Sequence, residues 1–141
     1  MIELTQAHVE STAPPAAFFA RWADMATWPE WNADTEWVRL DGPFVQGATG
    51  TLKPKGGPKV PFVVSSLTDT EFVDVSTLFG AKLTFDHQIR ETPAGTTVEV
   101  NVAISGPLGR LWTLILGKGL RTSAQPDLDS LRRVAEASAA A

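Results

Sequence analysis

Six short extended segments follow one another between Thr35 and Ser105, and no stretch between them is long enough to hold a crossover helix. Thr35–Leu40 runs into Asp-Gly-Pro, Ala48–Lys53 into Lys-Gly-Gly-Pro, and Val60–Leu67 into Thr-Asp-Thr. Glu71–Phe79 stops at Gly80, Ala81–Glu91 at Thr-Pro-Ala-Gly, and Thr96–Ser105 at Gly-Pro. Parallel strands need connections of a dozen or more residues, so these spacings predict an antiparallel meander. Residues 2–11 alternate in the same way, which brings the total to about seven strands. The clearest alternation is the last: Val98, Val100, Val102 and Ile104 share one face, and Thr97, Glu99 and Asn101 the other. One face of the sheet must therefore be covered.

Two stretches can cover it. Residues 11–25, Ser-Thr-Ala-Pro-Pro-Ala-Ala-Phe-Phe-Ala-Arg-Trp-Ala-Asp-Met, predict a helix, since prolines suit a first turn and Phe18, Phe19, Trp22 and Met25 recur at helical spacing. Trp28 before Pro29 breaks that helix and opens a second, very short one ending near Asn32. Toward the C-terminus, Leu108, Leu111, Trp112, Ile115 and Leu116 form an apolar stripe that resumes at Leu128, Leu131 and Val134. Gly117, Gly119 and Pro126 interrupt it, and Asp127 and Asp129 after Pro126 resemble a fresh helix start. Either one kinked long helix or two helices in line would fit; the kinked helix is the preferred expectation. The class is α+β, in one domain over residues 1–141 with an Ala-rich tail from Ala137.

Charge and composition remove several functions. Twelve basic against 16 acidic side chains give a net charge of −4, so no broad footprint for nucleic acid exists. Lys53, Lys55 and Lys59 cluster at what reads as a solvated hairpin tip. The chain has no cysteine, which excludes disulfides, thiolate catalysis and Cys-ligated metal. His8 and His87 lack metal-ligand spacing. Lys118 follows a glycine, but Gly119 stands where a phosphate-binding loop needs Ser or Thr, and the two glycines here fall short of a dinucleotide fingerprint. No cofactor is expected. The alternating, acid-bearing start is no signal peptide, and no apolar run approaches the ~20 residues of a membrane span. A cytoplasmic monomer or homodimer is the expectation.

The order strand, helix, short helix, six strands, long helix resembles the START-like or SRPBCC superfamily, which includes polyketide cyclase/dehydrase-like proteins and the birch-pollen-allergen fold. The resemblance spans essentially the whole chain. It is carried by residues 13–31 after the first strand, 36–56, 85–100, and the final Leu114–Leu120 and Pro126–Ala137 segments. It implies a helix-grip fold, in which a curved antiparallel sheet wraps a long C-terminal helix around a cavity for an apolar molecule. No active-site motif transfers residue by residue.

Four of the five tryptophans lie between Trp22 and Trp37. Trp22 belongs to an apolar helix face and reads as core. Trp31 reads as a core plug or a residue at the pocket mouth, beside Gly117 and Gly119, whose helix-weakening pair suggests a gate. The direction of Trp37 stays open, and Arg39 reaches inward only if Trp37 does. A membrane-interface belt is not expected, because neither a span nor a strongly basic amphipathic helix stands out. The expected cavity residues are Phe85, His87, Ile89, Val75, Thr77, Val100, Val102, Leu111, Trp112 and Ile115. On the strand 71–79 the more apolar set, Val73, Val75, Thr77 and Phe79, is placed inward and Asp74 outward. His87 shares its face with Leu83, Phe85 and Ile89, and reads either as an acid/base or orienting group or as a half-buried histidine satisfied by a neighbour. The leading functional expectation is a binding or carrier module for a small hydrophobic molecule (lipid, polyketide or aromatic). Alternatives are a cyclase or dehydratase using His87 as its catalytic group, and a domain with a filled core that binds a protein partner.

Overall fold

The computed structural model describes residues 1–140. In chain order the elements are β1 (Ile2–Ser11), α1 (Pro15–Ala23), a 3₁₀ helix (Met25–Glu30), β2 (Thr35–Leu40), β3 (Thr49–Pro54), β4 (Val60–Leu67), β5 (Glu71–Leu78), β6 (Ala81–Thr92), β7 (Gly95–Ser105) and α2 (Gly109–Ala140). The seven strands make one antiparallel sheet in the order β1-β7-β6-β5-β4-β3-β2. The meander expected from the turn spacings is present, and β1 joins its far edge by pairing with β7.

Local chemistry explains the helices between β1 and β2. Pro14 is extended and Pro15 opens α1, so neither missing N–H costs a helical bond. Phe18 and Trp22 on its inner face are fully buried. The indole N–H of Trp28 donates to the Trp22 carbonyl (3.2 Å), which satisfies an orphan acceptor at the end of the helix.

One tight turn sets the register of the sheet centre. Gly80 has φ +69°, and a Cβ there would lie 2.7 Å from the Leu108 side chain, so only glycine fits. The turn Phe79–Gly80 pairs Phe72 with His87, Asp74 with Phe85 and Ser76 with Leu83. On the other side of β6, His87 pairs with Val100, Phe85 with Val102 and Leu83 with Ile104. All of these share the face that α1 and α2 cover. The expected orientation of β5 is therefore reversed. Phe72, Asp74 and Ser76 are buried, while Thr77 is exposed and Val75 only partly covered on the opposite face.

The C-terminal cover is one unbroken helix of 32 residues through Pro126, and the Ala-rich stretch from Ala137 continues it; Ala141 lies outside the described residues. Pro126 and Thr122 both face solvent, where water can take the bond that the proline removes. The row toward the sheet is Leu108, Trp112, Leu116, Leu120, Ala124, Leu128, Leu131 and Ala135, stepping mostly by four. Leu111 and Ile115 lie off this row and are 50% and 60% exposed, against expectation. Gln125 pins the helix to the sheet edge: its amide accepts from the His8 N–H (3.1 Å) and donates to the His8 carbonyl (2.9 Å), as a neighbouring strand would.

Candidate functional site

The concave face carries two apolar clusters. One gathers Phe18, Trp22, Trp28, Phe62 and Phe72 around Leu128 and Leu131; the other gathers Leu83, Val102 and Ile104 beneath Trp112, Leu116 and Leu120. Val100 touches both, and it and Phe85 keep partial exposure.

His87 is buried in this floor, stacked on Phe72 (centroids 4.7 Å apart, planes 15°) and 5.1 Å from the Trp22 ring. Its Nδ1 lies 2.8 Å from the Phe72 carbonyl. A carbonyl only accepts, so Nδ1 carries the proton and Nε2 is left as an acceptor. Burial lowers the imidazole to about 4, opposed by the Phe72 and Phe85 carbonyls, and the ring is neutral near pH 7.

Asp74 sits one strand over and two residues along, a diagonal neighbour at about 7–8 Å between Cα atoms. It is flanked across the ladder by Val64 and Phe85. Burial pushes its carboxyl up to about 7, opposed by its own backbone N–H. Among the described residues its Oδ1 has no hydrogen-bond partner, and neither do the buried indole nitrogens of Trp22 and Trp31. Buried polar groups are normally paired, so each of these orphans asks for a cause. Ser76, also buried, continues the polar line on β5.

Of the cavity residues expected from the sequence, the fold brings Phe85, His87, Ile89, Val100 and Val102 together on the floor, with Trp112 above. Val75 and Thr77 are on the opposite face, and Leu111 and Ile115 point to solvent. Trp31 is not at a mouth. It is 8% exposed and packs against Trp28 (5.4 Å). Gly117 is buried within α2, with the Arg121 guanidinium folded over it, whereas Gly119 faces open space. Trp37 turns outward, under the Arg39 and Lys59 cations (each 5.8 Å), because a bulge between Thr35 and Trp37 separates it from buried Thr35.

Asp74 was missed, although a signal for it existed. A two-residue turn at Phe79–Gly80 makes residues 74 and 85 direct partners, which forces Asp74 onto the face of His87. A depression of about 610 Å³ lies elsewhere, between α1 and the end of α2. Arg21 bridges it by donating to Ser138 (2.7 Å), and none of its lining residues is a buried titratable group; the buried pair His87 and Asp74 lies on the concave floor instead.

A curved seven-stranded antiparallel sheet with a long C-terminal helix and a helical plug at one end defines a helix-grip domain. The sequence matches the family described as polyketide cyclase/dehydrase and lipid transport over residues 1–136, and the chain belongs to that family. No curated protein matches the sequence. Among solved structures, the fold is similar to protein MLL2253 from Mesorhizobium loti (TM-score 0.71, 12% identity, 92% of this chain and 94% of that one). It is also similar to the di-domain aromatase/cyclase StfQ of the steffimycin biosynthetic pathway (0.75, 12%, 99% and 53%) and to Ara h 8.0201 (0.69, 14%, 94% and 97%). This chain thus spans about half of StfQ.

Proposed function

We propose that this protein binds a small, largely apolar ligand on the concave floor between β5–β7 and α2, and holds it by one polar group. The observation that carries this reading is Asp74: a carboxyl buried among apolar side chains, with Oδ1 unpartnered, beside a histidine whose Nε2 is left as an acceptor. Sites for small molecules are mostly apolar, with a few placed polar groups that select the ligand. A half-protonated Asp74 donates to a ligand carbonyl or accepts from a hydroxyl, and neutral His87 accepts from a hydroxyl. An aromatic or polyketide-like molecule with an oxygen substituent fits better than a plain hydrocarbon chain. The chain has no cysteine, which fits a carrier in the reducing cytoplasm.

The test compares 2-naphthol with naphthalene by tryptophan fluorescence and calorimetry, since Trp22 borders His87. The hydroxyl should improve affinity by roughly 2- to 13-fold, the equivalent of one net hydrogen bond. Asp74→Leu should abolish that preference and keep naphthalene binding. Equal affinities in the parent, or an undiminished preference in the variant, would refute the reading.

One observation favours a catalytic alternative. Asp74 at about 7 and His87 at about 4 are neighbouring groups whose surroundings push their titrations in opposite directions, as in acid/base sites. On that reading the site is of cyclase or dehydratase type, with Asp74 moving the proton. Loss of turnover of an aryl β-hydroxy ketone in Asp74→Asn, with binding intact, would establish it over the carrier.

A further inference from the structure

The exposed side of α2 is as unusual as its buried side. Leu111, Leu114 and Ile115 are 50%, 84% and 60% exposed, and with Lys118 they share a single stripe, the adjacent pair Leu114 and Ile115 lying three and four residues from Leu111 on one side and from Lys118 on the other. Arg110 and Arg121, both exposed, border that stripe on one flank. Phe79, 83% exposed at the β5–β6 turn, is held at the same end of the helix. The Trp112 indole N–H donates to its carbonyl (2.7 Å), and the Leu108 N–H donates to the Gly80 carbonyl (2.9 Å). Lys82, exposed, follows that turn.

Charge selects what such a surface can meet. Residues 101–126 contain Arg110, Lys118 and Arg121 and none of the 16 acidic side chains, in a chain of net charge −4. Scattered single apolar residues on a surface are ordinary; a continuous row of them with cations along one flank and at its end is not. Helices that lie in a membrane interface combine these two features, with Leu, Ile and Phe entering the acyl boundary and Lys and Arg reaching the headgroups. Among the described residues no helix is long and apolar enough to cross a membrane.

We infer that the first half of α2, together with the Phe79 turn, docks the protein onto an anionic lipid bilayer. The sheet-facing row of the same helix covers the concave floor, so docking places the edge of the floor against the bilayer. The inference stands apart from the ligand reading, because it uses no residue of the floor.

The experiment is co-sedimentation of the intact protein with vesicles of phosphatidylcholine alone and of phosphatidylcholine mixed two to one with phosphatidylglycerol, alongside sedimentation velocity without lipid. Binding to the anionic vesicles and not to the neutral ones is expected, weakening as salt rises. A basic side chain near an anionic leaflet is worth about fivefold in partition, so Lys118→Gln with Arg121→Gln should lower binding tenfold or more. Leu114→Glu with Ile115→Glu should abolish it, and both pairs are exposed, so melting should change little. Equal partition into both vesicle types, or variants that bind like the parent, would overturn the inference. So would a dimer that these substitutions dissociate, without vesicle binding, since the stripe would then be covered by a second copy.

Discussion

Asp74→Asn removes a charge from the floor while keeping the side chain's shape, and its effect should depend steeply on pH. The carboxyl titrates at about 7 in the fold against 3.8 when unperturbed, so the native state holds that proton more tightly than the unfolded chain. The stability tied to the neutral carboxyl is fully present below 3.8 and is lost as pH rises through 7. At 1.36 kcal/mol per pH unit, about three units cost roughly 4 kcal/mol, a large part of the 5–15 kcal/mol typical of a domain. His87 runs the other way: lowered from 6.5 to about 4, it contributes stability above 6.5 that is lost as pH falls through 4, roughly 3 kcal/mol. Between pH 4 and 6.5 the two slopes oppose and the parent changes little from this pair. Asn carries no charge, so the variant should melt on the order of 10 °C above the parent at pH 8 and alongside it at pH 4. Asp127, half-buried and raised to about 6, is common to both proteins and drops out of the difference. Circular dichroism melts at pH 4, 6 and 8, with urea titration at pH 8, decide the matter. Equal stability at pH 8, or the same gap at pH 4 and pH 8, would show that Asp74 ionises freely in water and that the floor is not a dry site.

Trp22→Ala should cost about 3–5 kcal/mol, because the ring is fully buried against Phe18, Phe72 and His87; urea midpoints measure it, and a loss under 1 kcal/mol would contradict the packing. Gln125→Ala removes both bonds to the β1 edge at an exposed site, so it should cost only about 0.5–1.5 kcal/mol while the His8 amide exchanges faster. Gly119→Ala should add about 0.5–1 kcal/mol, since nothing lies within 4 Å of the new methyl and the helix is regular there. Gly117→Ala must displace the Arg121 guanidinium, 3.0 Å from the added carbon, and should gain less.

Turn residues and alternation made the architecture readable in advance. Each strand break coincided with Gly, Pro, Asp or Thr, and the strand count, the antiparallel order and the two helices before β2 follow from them. Pro126 was the ambiguous point. A proline followed by two acids looks the same whether it starts a helix or rides the solvent side of a longer one, and only the position of Thr122 relative to water distinguishes them. The α2 stripe was displaced by one residue for a related reason. Leu108, Leu111, Trp112, Ile115 and Leu116 are all apolar, so periodicity alone allowed two overlapping rows. Tertiary packing took 108, 112 and 116, and left 111 and 115 outside with Leu114.

The error on β5 is more instructive, because hydrophobicity pointed the wrong way at the site itself. Val73, Val75 and Thr77 are β-branched and favour a strand on either face, so their character reports backbone preference as much as burial. The buried face instead carries Phe72 with Asp74 and Ser76, two residues that a search for apolar positions rejects. Register was the stronger witness. With His87 assigned inward and the chain turning at Phe79–Gly80, the partner of residue 85 is residue 74, whatever its polarity. A carboxyl that topology forces into an apolar layer, with its Oδ1 unpartnered among the described residues, breaks the rule used to find the core, and residues that do so are the ones to test first for a role in binding or chemistry.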